Sequence, residues 1–165
     1  MASLETPTEL FVHKLGAALT MEETILEMLE KLQDEASDSK LRKDLRHHEQ
    51  ETQRQVQNLH RIFDALGEEV EKQSSPAIDG LKKEGEQLIK EVDDNLVDSV
   101  ILDGVIETEH HEVAVYDSLI ITAEQLDDDD IVALLQENLE QEEAALDKAV
   151  KAAEQSSRQL VEQYS

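Results

Sequence analysis

"LRKDLRHHEQETQRQVQNL", residues 41–59, reads as one side of a helix. Leu41, Leu45, Val56 and Leu59 recur at helical spacing, and Ile62, Phe63 and Leu66 carry the row onward. Between Leu45 and Val56 the inward stripe passes through His48, Glu51, Thr52 and Gln55. An imidazole and a carboxylate on a buried face need partners, because an ionised group taken out of water unpaired is strongly disfavoured.

The same design recurs on both sides of this stretch. Helix A is expected over 8–35: Thr6 caps it, Pro7 suits its first turn, and Glu9 completes a capping box. Its stripe is Phe11, Leu15, Leu19, Glu22, Ile25/Leu26, Leu29 and Leu32. Helix B runs over 38–66, capped by Ser37 or Asp38 and stopped at Gly67. A connecting helix over 76–91 follows the cap-and-proline pair Ser75-Pro76. Helix C, 94–123, has the stripe Leu102, Val105/Ile106, Glu109, Glu112/Val113, Tyr116 and Leu119/Ile120. Helix D, 128–160, begins in "DDDD" at 127–130, carboxylates suited to a positive helix N-terminus. Its stripe is Ile131, Leu135, Leu139, Glu142, Ala145/Leu146 and Ala149. No run alternates as a strand does. The chain therefore reads as one all-α domain, 1–165. Two helical hairpins, A–B and C–D, are joined by a long B–C crossover that contains the short extra helix, the topology of a ferritin-like four-helix bundle.

The carboxylates on the four stripes share a level. Glu22 lies about 15 residues before the A–B turn and Glu51 about 14 after it; Glu112 and Glu142 each lie about 15 from the C–D turn. At 1.5 Å per residue all sit roughly 22 Å from their turns. The two halves repeat one plan, with 51 − 22 = 29 and 142 − 112 = 30 residues between their carboxylates. Glu109 and Glu112 share a face at three-residue spacing, as do His48 and Glu51. Any one of these glutamates can sit at a stripe edge with its head in water. Five converging without a cation would repel one another or hold protons, and a pair of divalent metals resolves this. Carboxylate oxygens with one imidazole suit iron or manganese.

The candidate ligands are Glu22, His48, Glu51, Glu109, Glu112 and Glu142, with Glu51 and Glu142 the candidate bridges. His48 reads first as a ligand, then as a group orienting Glu51, and last as a satisfied core histidine. Gln55 and Tyr116, each one turn from a stripe glutamate, are candidates to bond the ligands. His110 and His111 flank the stripe, and His13, His47 and His60 read as surface or boundary residues.

Composition sets the outer limits. The 165 residues include 15 Lys plus Arg and 40 Asp plus Glu, a net charge of −25. Such a chain repels nucleic acid and anionic membranes, and it has no basic patch. This charge is typical of proteins soluble in molar salt, which points to the cytoplasm of a salt-accumulating organism. With no cysteine, disulfides, thiolate metal sites and thiol catalysis are excluded. The N-terminus "MASLETPTELF" does not read as a signal peptide, and no apolar run approaches a membrane span.

The segments "ELFVHKL…MEET", "HHEQETQRQVQNLHRIFDALG", "AIDGLKKEGEQLI", "ETEHHEVAVYDSLI" and "AEQLDDDDIVALLQENLEQEE" resemble the YciE/YciF family of ferritin-like stress proteins over residues 8–150. The resemblance implies a ferritin-like bundle, a homodimer, and a dinuclear site of two Fe or Mn ions per chain. It carries over to Glu22, His48, Glu51, Glu109, Glu112 and Glu142. The Glu109–Glu112 pair is also similar to the helix C pair of rubrerythrin-type peroxidases. The chain departs from the common Glu-x-x-His motif, since position 54 is Arg and position 145 is Ala; Leu146 stands where relatives often carry Asp, and Leu19 and His111 where they favour Tyr. The expected function is a stress-response di-iron or di-manganese oxidoreductase acting on O2 or peroxide, as ferroxidase or peroxide scavenger. The alternatives are a metal-binding protein without turnover and a helical scaffold with a vestigial site, so enzymatic activity stays open.

Overall fold

The computed structural model describes residues 3–165; the first two residues of the 1–165 domain expectation lie outside them. Five α-helices account for most of the chain: α1 Pro7–Glu35, α2 Ser39–Leu66, α3 Pro76–Glu91, α4 Val97–Gln125 and α5 Asp129–Gln163. Among the described residues there is no strand.

The helix ends follow their local chemistry. The Glu9 amide donates to Thr6 Oγ1 at 3.1 Å, and the Thr6 amide donates to the Glu9 carboxylate at 2.9 Å, a complete capping box. Asp38 rather than Ser37 caps α2, accepting from the Leu41 amide at 2.7 Å. Gly67 closes α2 at φ 67°, a left-handed conformation that glycine adopts without a Cβ clash. Ser75 makes no side-chain cap to α3, so Pro76 alone marks that start. The segment expected to open helix C at 94 is a 3-10 turn, Asp94–Leu96, with the α-helix proper beginning at Val97.

α1 packs along α2 and α4 along α5; α2 then meets α5, α1 meets α4, and α3 lies across α4 and α1. The apolar stripes fill the interior, with Phe11, Leu15 and Leu19 of α1, Leu59, Ile62 and Phe63 of α2, Leu119 of α4, and Ile131 and Leu135 of α5 all at 1% exposure or less. The seam between the two hairpins is tied at one end by Asp98. Its carboxylate accepts from the backbone amides of Ser37 (2.8 Å) and Asp38 (2.9 Å), joining the α1–α2 turn to the start of α4.

The connection after α2 runs against α1 at Gly16. A Cβ on Gly16 would lie 2.1 Å from the Glu71 carbonyl oxygen, a distance that forces the backbone apart. Helix propensity alone would make Gly16→Ala stabilising by about 1 kcal/mol. The clash predicts the opposite sign, a loss of about 1–3 kcal/mol, read as a lowered urea midpoint with unchanged slope.

Candidate metal centre

Midway along the long helices a polar layer interrupts the core. α1 supplies Glu22, α2 supplies His48, Thr52 and Gln55, α4 supplies Thr108, Glu109, Glu112 and Tyr116, and α5 supplies Asn138 and Glu142, all buried. Within it His48, Glu109, Glu112 and Glu142 each bring one ligand-capable atom to within 4.8 Å of the others. His48 Nε2 lies 2.6 Å from Glu109 Oε1 and 3.8 Å from Glu142 Oε2. The 2.6 Å contact is close but not aligned as a hydrogen bond, since Nε2 has no properly directed partner.

Glu22 adjoins this group and is fully buried; it interacts with Glu112, and the Tyr116 hydroxyl donates to its Oε1. Glu51 is less enclosed, with its side chain 23% exposed. It bridges two histidines, Oε2 lying 3.3 Å from His48 Nδ1 and Oε1 3.3 Å from His47 Nε2. Gln55 is buried but turns to α5, donating to Gln141 Oε1 at 3.1 Å. His110 is exposed and His111 half-buried, both outside the cluster.

Two buried asparagines complete the layer. Asn138 Nδ2 donates to the Tyr116 hydroxyl (3.1 Å) and to the Gln55 carbonyl (3.3 Å), while Asn58 Nδ2 donates to Asn138 Oδ1 at 2.9 Å. Each donor in the Asn58–Asn138–Tyr116–Glu22 chain points toward Glu22, so the chain ends on one of its oxygens. Tyr116 is thereby held as a donor, and burial beside Glu22 pushes its own ionisation well above the ordinary value.

The electrostatics follow from crowding. Burial, reinforced by neighbouring carboxylates, raises Glu112 and Glu142 well above the usual carboxylate range. Burial raises Glu22 to about 7 against the opposing hydrogen bond from Tyr116. Burial disfavours the His48 imidazolium, but Glu109 and Glu51 outweigh it and hold the group up at about 10. Burial works against the Glu51 carboxylate too, and is overcome by His48, His47 and Lys148, so Glu51 titrates low.

Eight buried atoms of this layer have no hydrogen-bond partner: Gln55 Oε1, and, among the acid and imidazole groups, Glu22 Oε2, His48 Nε2, Glu109 Oε2, both oxygens of Glu112 and both of Glu142. Buried polar atoms are almost always satisfied, and here the exceptions gather in one layer. One imidazole nitrogen among carboxylate oxygens is a donor set suited to iron or manganese, so the residues fit a bound cation. Two openings reach His48. One, between α2, α4 and α5, passes Asp44, His47, Glu51 and Lys148; the other, between α1, α3 and α4, is apolar.

An all-helical protein with a buried histidine–glutamate cluster is thus the class that fold and site define. Residues 6–162 match the family described as "Domain of unknown function (DUF892)", and the chain belongs to that family. It is 28% identical over 144 residues to Protein YciF of Escherichia coli (strain K12), covering 86% of this chain and 87% of that one. The solved structure of the E. coli stress protein YciF superposes with a TM-score of 0.88 at 26% identity, over 93% of this chain and 98% of the other. YcfI from Rhodopseudomonas palustris gives a TM-score of 0.87 at 36% identity, over 89% and 94% of the two chains. Among the described residues no helix is long and apolar enough to cross a membrane.

Proposed function

We propose that this chain is a ferritin-like, dinuclear metal-carboxylate protein that handles iron or manganese and reacts with dioxygen or peroxide under stress. The observation that carries the reading is the set of seven unpartnered buried carboxyl and imidazole atoms in a single layer, four of whose residues bring ligand atoms within 4.8 Å of one another. His48, Glu109, Glu112 and Glu142 would hold one cation. Glu22, with Glu51 at the fringe and carboxylates shared from the cluster, would hold the second. Bound iron or manganese would supply one-electron chemistry toward an oxygen substrate.

The chain's own residues prepare that site. The Tyr116 hydroxyl, itself accepting from Asn138, donates to one oxygen of Glu22 and leaves the other free. Glu51 accepts from His48 Nδ1, which orients the ring and leaves Nε2 as the ligand atom. The imidazolium proton of His48 and the protons on the raised carboxyls are what a cation displaces. The surrounding Leu, Ile and Phe side chains keep bulk water from the layer. The same reading includes a cytoplasmic homodimer, which the family resemblance implies, and a salt-rich cell interior, which a net charge of −25 favours.

Anaerobic titration of chelator-treated protein in high salt tests the reading. It expects saturation at about two Fe(II) or Mn(II) per chain. Binding below about 0.2 per chain would reject it, since a site that fits a cation should fill at micromolar metal. Two ions bound with no oxidation of Fe(II) above the protein-free rate would mark a holding site rather than an oxidoreductase.

A further inference from the structure

The second of the two openings has the more apolar lining. It lies between α1, α3 and α4, has a volume of about 50 Å³, and is walled by Ile25, Leu29, Leu81, Ile89, Ile101 and Val105. Its inner end is His48 with Glu109, the pair 2.6 Å apart in the cluster. Ion pairs lie at its outer edge: Lys31 with Glu86 at 3.1 Å, and Lys82 with Glu27 at 3.3 Å. Two mid-helix glycines line it, Gly85 on α3 and Gly104 on α4, and a Cβ at either would meet nothing within 4 Å. Glycine inside a helix weakens it relative to alanine. Neither position is glycine for lack of room, unlike Gly16, nor for a left-handed turn, unlike Gly67. What both share is the open space that a side chain would occupy.

We propose that this cleft is a binding site and passage for small, uncharged, apolar molecules of the size of dioxygen, leading to the His48–Glu109 side of the cluster. Its use as an oxidant route rests on the metal reading above; its capacity to bind such molecules does not. Between the ion pairs at its edge and the cluster at its inner end, an ion among these walls would shed water for few partners, whereas an apolar diatomic loses little and gains close contacts. The other opening is the candidate route for the cation, since Asp44, His47 and Glu51 line it beside Lys148 and a largely apolar remainder. The two reactants would thus approach one site through different openings, both with largely apolar walls.

Xenon is the probe, because it enters dry apolar cavities and needs no metal. Metal-free protein is titrated with xenon by 129Xe NMR, and crystals under xenon pressure locate the atom. Xenon is expected between Gly85 and Gly104, with binding at least tenfold weaker in Gly104→Leu. That variant should bind Fe(II) as the parent does while oxidising it at least fivefold more slowly at limiting dioxygen. Gly104→Ala, which favours the helix and removes one methyl's worth of space, is expected to fall between the two and keeps the test readable if leucine prevents folding. Absence of xenon from the cleft, or xenon affinity and oxidation rate both unchanged in the two variants, overturns the proposal. Failure of the metal reading is separately visible, as no Fe(II) uptake by the parent, and leaves the xenon result to judge the cleft.

Discussion

Replacing Glu112 and Glu142 together by Gln raises the melting temperature of the metal-free protein at pH 7 and abolishes its response to added metal. The two effects come from one cause. Burial raises both carboxyls well above their ordinary range, so at pH 7 each costs folding stability, because the unfolded chain ionises it more readily. Glutamine has nearly the same shape and carries no such penalty; its unpaired amide costs about 1–3 kcal/mol, less than two crowded acids. Neither glutamate accepts a hydrogen bond from a neighbouring donor, and the glutamine amide can still donate to Glu22 or Glu109, as a protonated carboxyl does. For the parent, metal at a thousandfold excess over Kd adds about 4 kcal/mol. At this chain length that is a rise in Tm of about 8–16 °C. The check is a pair of thermal melts, in chelator and in excess Mn(II), for parent and variant. A variant that still gains 8 °C or more from Mn(II) would remove these residues from the ligand set.

The metal-free protein loses stability as pH rises from about 5 to 10, and the metal-loaded protein gains it over the lower part of that range. Glu22 titrates at about 7 in the folded chain against an ordinary 4.5. The folded state therefore holds its proton more tightly than the unfolded state. Its contribution is fully present below 4.5 and is lost as pH climbs through 7. His48, at about 10 against 6.5, contributes in full below 6.5 and loses that contribution as pH climbs through 10. Glu51, which titrates low, has the opposite sign, but its change falls below pH 4.5 and outside this window. Taken singly, the loss is about 3 kcal/mol for Glu22 and about 5 kcal/mol for His48. A bound cation reverses the slope, because fewer protons must be displaced as pH rises. Urea midpoints at pH 5, 7 and 9, with chelator or Mn(II), measure both slopes. Molar salt in every sample screens the surface carboxylates, whose repulsion shares the metal-free sign. Parallel slopes with and without metal would mean that these groups do not meet the ion.

The helices were legible because their ends and faces are written locally. Thr6–Glu9, Gly67 and the acidic run before α5 are short signals, and the long apolar stripes leave little choice of period. The polar layer was legible only in part. On α2 the buried row steps 48, 52, 55, 59, and Glu51, one position off it, turns to the fringe. One residue is about 100° around a helix, so a stripe drawn through Glu51 and Thr52 together cannot tell which is inward. On α5 the row passes through Asn138, while Leu139 is only half-buried. A rule that follows apolar residues selects the leucine and misses the asparagine. Asn58 was missed for the same reason. Their place is set by partners 80 and 22 residues distant, Asn138 for Asn58 and Tyr116 for Asn138, and no local pattern encodes such a pairing.

The seam between the hairpins has a consequence for how the molecule opens. The α1–α2 hairpin brings Glu22, His48 and Glu51, and the α4–α5 hairpin brings Glu109, Glu112 and Glu142. Neither hairpin holds the full set of candidate ligands, so a cation seated between them would act as a clasp across the joint. Partial unfolding in which the hairpins separate would have to release it, whereas fraying of the exposed end of α5 would not. Amide hydrogens along the facing sides of α2 and α5 would then exchange with solvent on two very different schedules, set by whether the cell supplies the ion. The availability of a metal would be recorded as the lifetime of one interface, while the ends of the helices kept the same time in either state.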